Sequence, residues 1–178
     1  MKAIFQSVPS EVGFKAYILP MKNKLFRLAL QITLDREEAE DIVQETMMKM
    51  WLMRHQWKEI DDIEAFTMTI CRNLALDSIK RKEHLNISLD SSLHDREDST
   101  ASANDTIETE EQKVMIEKLI NLLPEKQRTV MLLRDIEEKS YKEIADIMQI
   151  TEADVKVSLH RARNQVRDAM AKWRNGES

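Results

Sequence analysis

Lys156, His160, Arg161 and Arg163 fall close together in the segment from Tyr141 to Arg163. Side chains of these types reach phosphates and base edges when a helix lies in a DNA major groove. The sequence around them supplies the elements that such chemistry needs. Tyr141, Ile144, Ala145 and Met148 recur at helical spacing and form one apolar face, with Glu143 and Asp146 on the other. A tight turn follows at Gln149 and Ile150. Thr151 then suits an N-cap, with Asp154 placed to close a capping-box start, and stands with the basic residues as a candidate for DNA contact. Val155, Leu159, Ala162, Val166, Met170 and Trp173 continue at steps of three and four, so the second helix is long and amphipathic. Short helix, turn and basic helix together have the layout of a DNA-reading helix-turn-helix. From Glu152 to Arg174 there are six Lys or Arg against three acids, a local net of +3 in a chain of net −5. An ordinary helical hairpin with a solvated charged face is the blander reading; spacing, turn and local charge together favour DNA.

Other chemistry finds little support. His55, His84, His94 and His160 are scattered, and no spacing of His, Cys, Asp or Glu matches a zinc or magnesium site. Two glycines in the whole chain leave no room for a glycine-rich phosphate loop. Cys71 lies beside an apolar helix face, where a buried inert thiol is expected rather than a nucleophile. The expectation is therefore no catalytic residue, no metal and no cofactor. A single cysteine excludes an internal disulfide and fits a reducing compartment. With no leader-like start and no run approaching about 18 apolar residues, a cytoplasmic protein without membrane insertion is expected.

The chain has 178 residues, 42% hydrophobic and 33% charged, with three prolines beside the two glycines, which predicts an all-α fold. Charge marks a boundary. Residues 84 to 111 hold eight acids and one base, leaving 26 bases against 24 acids elsewhere, so the DNA-binding part is not acidic. This stretch is rich in Ser, Thr, Asp and Asn without a sustained apolar period, and reads as a flexible acidic linker. It divides the chain into small helical domains at 1–83 and 112–178. On the N-terminal side, helices are expected near 10 to 32, 36 to 55 and 63 to 82, with a polar loop from His55 to Asp62. Asp35 and Glu38 form a capping pair. Ala39, Ile42, Val43, Thr46, Met47, Met50 and Trp51 make an apolar stripe, with Asp41, Gln44, Glu45 and Met48 off it. The third helix packs through Ile63, Phe66, Ile70 and Leu74 and ends in Lys80, Arg81 and Lys82. Further on, helices are expected at 109 to 122, stopping before Pro124, and from Glu125 to Asp135.

Four blocks, Glu40 to Glu45 (EDIVQE), Ile70 to Asp77 (ICRNLALD), Leu123 to Leu133 (LPEKQRTVMLL) and Tyr141 to Arg163, stand in the order found in a known family. In them the sequence resembles the bacterial RNA polymerase sigma factors of the extracytoplasmic-function group, which keep only the second and fourth conserved regions. The resemblance implies an alternative sigma factor that binds core RNA polymerase, recognises promoter −10 and −35 elements and promotes DNA opening. It implies that Asp41, Gln44, Glu45 and Met48 contact the β′ clamp helices. Asn73 matches the family's asparagine for the −10 element, and Arg72, Lys80, Arg81 and Lys82 would track the adjoining backbone. Thr151, Lys156, His160, Arg161 and Arg163 would serve the −35 element, with Arg163 structural or phosphate-directed, and the same domain would touch the β flap. Members of the group are usually held by an anti-sigma factor, so such a partner is expected too. A linker of 28 residues reaches at most about 90 to 100 Å, enough for two elements roughly 70 Å apart.

Departures from the family are specific. Family members commonly have Gly where this chain has Glu138, Gln149 and Ala153, and Trp at Phe66. They often have Thr at Asp154 and Arg at Ser158. Gln149 must then turn the chain with a side chain present, in the left-handed region. Ser158 would be a lost DNA donor, and Asp154 would repel phosphates unless it caps the helix. The competing functional reading is a helix-turn-helix regulator acting without the polymerase, its N-terminal helices serving as a dimerisation or sensor domain; an enzyme or a helical adaptor stands behind it.

Overall fold

Pro20 decides how the chain enters its first long helix. Lacking an N–H, proline cannot carry an α-helical ladder through its position. In the computed structural model, which describes residues 10–88 and 107–175, the expected single helix from 10 to 32 is accordingly broken. A short α1 (Ser10–Gly13) passes into a π-helical turn (Phe14–Ile18) and a 3₁₀ turn (Leu19–Met21) before α2 (Lys22–Thr33) begins. Leu25, Leu28, Ala29 and Ile32 recur along α2 at helical spacing and are all essentially buried. Each of the larger ones stabilises the fold by about 1.5–3 kcal/mol. The helix stops at Leu34, which takes a left-handed φ of 56° and donates its N–H to Leu30 O at 2.8 Å.

Asp35 then caps α3 (Arg36–Leu52), its Oδ1 accepting the Glu38 N–H at 3.2 Å, as the sequence predicts. Ala39, Ile42, Val43, Thr46 and Met50 face inward, with Met47 and Trp51 half-buried. The expected polar loop from His55 to Asp62 is corrected by Trp57. A 3₁₀ turn (Arg54–Glu59) swings that indole into the interior, where it is 2% exposed and stacks on Phe14 at 6.3 Å. Phe14 meets Trp51 edge-on at 5.2 Å, so a small aromatic cluster ties the chain's entry to the end of α3.

Asp62 opens α4 (Ile63–Ser88) by accepting the Ala65 N–H at 3.0 Å. Ile63, Thr67, Met68, Cys71, Leu74, Ala75 and Ser78 form its inner face. Helix α4 runs past the expected end at 82, and α5 (Ile107–Asn121) starts before the expected 109, so both margins of the 84–111 segment are helical. The rest of that segment lies outside the described residues. Pro124 precedes α6 (Glu125–Met131), which continues as a π-helical turn (Leu132–Ile136). Helices α7 (Tyr141–Met148) and α8 (Glu152–Arg174) follow. No strand occurs among the described residues.

The two halves pack on each other. Helix α2 meets α6, and α4 meets α7. One apolar cluster draws Leu28 and Ile32 from α2, Met68 and Leu74 from α4, and Val130, Ile144, Met148 and Val155 from the C-terminal half.

Candidate nucleic-acid interface

The turn of the helix-turn-helix is built as its sequence requires. Gln149 takes φ 55°, the left-handed conformation expected for it, and Ile150 donates its N–H to Ala145 O at 3.1 Å. Glu138, another position where the family commonly has Gly, also sits at φ 55°. Ser140 starts α7 with a complete capping box, its hydroxyl accepting the Glu143 N–H while Glu143 accepts the Ser140 N–H. The sequence reading missed this cap, although Ser followed three residues later by Glu is its signature. It also missed Ile147, which is fully buried beside Ile144 and Met148.

At the start of α8, Asp154 Oδ2 accepts the Thr151 hydroxyl at 2.7 Å, and Thr151 Oγ1 accepts the Asp154 N–H at 3.1 Å. The Thr151 hydroxyl hydrogen bond, ahead of the backbone one, holds the Asp154 carboxyl below its ordinary range. Asp154 is thus a cap, and a carboxylate at a helix N-terminus is favourably placed. Lys156, His160 and Arg161 are exposed on one face of α8. Lys156 Nζ lies 5.6 Å from the Tyr141 ring centroid, and His160 shares a 2.9 Å contact with the Asn164 amide. Val157 stands among them, 48% exposed. It was overlooked as a member of this face, where an apolar side chain suits a thymine methyl. Arg163 points elsewhere: its guanidinium forms a two-point ion pair with Asp135, which raises its pKa further. Ser158 corrects an expectation. It is 7% exposed and lies on the buried side with Val155 and Leu159, so this position is not a vacated donor on the exposed face of Lys156, His160 and Arg161.

A second exposed face runs along α4. Asn73, Asp77, Lys80, Arg81 and His84 follow helical spacing and are all exposed. Two of the residues expected with Asn73 are less available. Arg72 is half-buried, and its Nε is buried with no hydrogen-bond partner among the described residues. Lys82 Nζ lies 3.1 Å from Asp35 Oδ2 and also pairs with Glu38, which accepts from the Ser78 hydroxyl as well. The hydrogen bond from Lys82, then that from Ser78, lowers the Glu38 pKa, and the bond to Glu38 raises that of Lys82. The basic end of α4 is therefore fastened to the start of α3. Arg81 donates to Asp77 O at 3.3 Å within its own helix.

The third face belongs to α3. Asp41, Gln44 and Met48 are exposed opposite the buried stripe, while Glu45 is half-exposed and pairs with Lys49 at 3.1 Å. Leu52, one turn beyond Met48, is 68% exposed and Met48 58%. Leu52 was missed; its four-residue spacing from Met48 is the signal that places it here. Cys71 is buried and donates weakly to Leu25 O at 3.5 Å, and burial pushes its thiol up to about 12. Among the described residues no group of His, Cys, Asp or Glu could hold a metal ion, and no helix is long and apolar enough to cross a membrane.

Two family descriptions match the chain in order: sigma-70 region 2 over residues 10–84, and sigma-70 region 4 over residues 113–166. Among curated relatives, the ECF RNA polymerase sigma factor SigM of Bacillus subtilis is 29% identical over 146 residues, covering 82% of this chain and 87% of SigM. SigW of the same organism is 28% identical over 155 residues, covering 82% of each chain. The fold resembles that of the sigma factor RpoE solved with the anti-sigma factor NepR from Bartonella quintana. The TM-score is 0.77 at 22% identity, with 89% of this chain and 96% of that one covered.

Proposed function

The chain belongs to the sigma-70 family, in the extracytoplasmic-function group of alternative sigma factors, and we propose that its three exposed faces divide the work of transcription initiation among them. An alternative sigma factor binds core RNA polymerase and recognises a promoter. In this reading the α3 face, with Asp41, Gln44, Glu45 and Met48, docks on the β′ clamp helices, and Leu52 extends the apolar end of that contact. The exposed stripe of α4 takes the −10 element, where Asn73 offers both donor and acceptor to an unstacked base and Lys80 and Arg81 follow the phosphates. Lys82 serves this face by fastening α4 to the start of α3 through Asp35 and Glu38, and Arg72 lies half-buried beside Asn73. On α8, Lys156, His160 and Arg161 contact the −35 element, and Thr151 contributes through the cap it forms.

The observation that carries this reading is the order of the two family matches on one chain, combined with an exposed acidic, amide and apolar face on α3 that the core does not use. A stand-alone helix-turn-helix regulator is not favoured, because residues 10–84 match a polymerase-binding region rather than a sensor. A member of an initiation-factor family need perform no catalysis of its own, and this one works where the polymerase is, in the cytoplasm. An anti-sigma factor is expected as a further partner; the related RpoE was solved with one. Asn73→Ala tests the division of labour. Promoter opening, read by permanganate footprinting of the holoenzyme, should fall at least tenfold while affinity for core polymerase stays within twofold. Equal loss of both would overturn the role given to Asn73.

A further inference from the structure

Val157 breaks the pattern of its own helix. On α8 the apolar side chains of Val155, Leu159 and Ala162 are turned inward and buried, and Ser158 goes with them. Val157 lies on the opposite side, 48% exposed, and belongs to neither apolar cluster among the described residues. Successive residues of an α-helix turn by about 100°, so Ala153, His160, Arg161 and Asn164 all project within about 60° of Val157. Ala153, His160 and Arg161 are exposed as well. Val157 is therefore the centre of this face rather than its margin.

The fold gives no reason for a valine there. A β-branched side chain is a poorer helix former than Ala, Lys or Gln, and here its apolar surface stays in water. A position that departs from local preference without a packing partner is where function is expected. The groups around Val157 set the chemistry of what it meets. Lys156 and Arg161 stand on opposite sides of it, placed for phosphates. The Asn164 amide and the His160 ring, 2.9 Å apart, are engaged with each other. Between these polar groups the face is apolar, with Ala153 one turn before Val157 widening the patch. On the major-groove edge of the base pairs the apolar group is the C5-methyl of thymine; cytosine has none.

We propose that Val157 is a specificity-determining residue of the −35 contact, seating the C5-methyl group of one thymine and so selecting thymine over cytosine at that position. The proposal rests on the sigma-factor reading, which lays α8 on DNA. Lys156 and Arg161 supply affinity that is blind to sequence, and Val157 supplies discrimination without charge. One methyl group removed from water corresponds to about fourfold in affinity. Because no phosphate is involved, the contact adds nothing to the salt dependence.

The test uses the full chain assembled with core RNA polymerase, and duplexes carrying the −35 element of a promoter from which it starts. Each thymine of either strand is replaced in turn by deoxyuridine, which removes the methyl group and leaves base pairing unchanged. With the wild type, one such replacement should weaken binding about three- to fivefold without altering the slope of log affinity against log salt. Val157→Ala, a substitution that favours the helix, should reduce the effect of that replacement to less than twofold and leave the effects at other positions unchanged. Sequence-specific binding that ignores every deoxyuridine, or a Val157→Ala variant as sensitive as the wild type, would overturn the role given to Val157 while the sigma-factor reading stands. A protein that confers no promoter binding on core polymerase would overturn both.

Discussion

Arg163 on α8 forms a two-point ion pair with Asp135, a residue of the π-helical turn that continues α6. The pair separates Arg163 from its neighbour Arg161, which is exposed on the face with Lys156 and His160. The two arginines should therefore fail differently. Arg161→Ala should lower the slope of log affinity against log salt for −35 DNA by about 1, the signature of one lost phosphate contact. Arg163→Ala should leave that slope nearly unchanged and cost about 0.5–1 kcal/mol of stability, since both partners are partly exposed. Equal losses of slope would mean that the Asp135 pair gives way on DNA.

Gln149 carries a left-handed φ of 55° at the turn between α7 and α8. An L side chain pays about 1 kcal/mol there, and a β-branched one more, while glycine pays none but loses more entropy on folding. Gln149→Gly should be neutral or stabilising by up to about 1 kcal/mol, and Gln149→Val destabilising by about 1–2 kcal/mol. Urea midpoints decide it. Glycine and valine variants destabilised alike would show that the side chain of Gln149, rather than its backbone, makes the turn.

Glu64 and Lys139, 2.8 Å apart, predict how stability follows pH. Burial pushes the Glu64 carboxyl up, but hydrogen bonds from Lys139 and Lys24 outweigh it and hold the pKa below its ordinary value. Burial likewise pushes Lys139 down, and the bond to Glu64 more than offsets it, so its pKa is raised. A lowered carboxylate stabilises above its unfolded pKa, about 4.3, and loses that contribution as pH falls through the folded value. A raised lysine stabilises below its unfolded pKa, about 10.4, and loses that contribution as pH rises through the folded value. The pair should act in full from about pH 5 to 10. The Tm difference between wild type and Glu64→Gln should be constant across that window and shrink in acid. A difference that persists undiminished at pH 3 would contradict the pairing.

Met48 and Leu52 are exposed on α3 without any role in the core. Replacing both with Ser should leave helicity intact and weaken core polymerase binding roughly tenfold, the loss expected when about 1.4 kcal/mol of apolar contact is removed. Reversing Asp41 and Glu45 to Lys should weaken it further and make it less sensitive to salt. Wild-type affinity in these variants, read by fluorescence anisotropy, would clear the face of this contact.

Much of this was legible in residue spacing. The stripe of α3 from Ala39 to Met50, the Asp35 and Thr151 caps and the Gln149 turn follow from local rules, because each depends on neighbours within one or two helical turns. What spacing could not reveal depends on residues far apart in the chain. Trp57 sits in a polar stretch, and its burial rests on a cluster that brings Phe14 and Ile18 from the start of the chain together with Met50 and Ile63. Ser158 is a different case: its spacing from Val155 and Ala162 puts it on the inner stripe of its own helix, and only its polar side chain concealed this. Lys82 is basic and terminal, which suggests phosphate, yet its partners Asp35 and Glu38 lie a whole helix away. The packing of the two halves is of the same kind: Arg128, Glu137 and Lys139 look like surface charges until α2 and α4 are placed against them.

The central claim is that this chain directs core RNA polymerase to start at two-part promoters. It is tested most directly by adding purified protein to core enzyme and fragmented genomic DNA and mapping the 5′ ends of the transcripts. The account predicts starts that depend on the protein and share two upstream motifs at a fixed separation, lost with Asn73→Ala. No protein-dependent starts, together with tight binding of the same DNA by the protein alone, would contradict it.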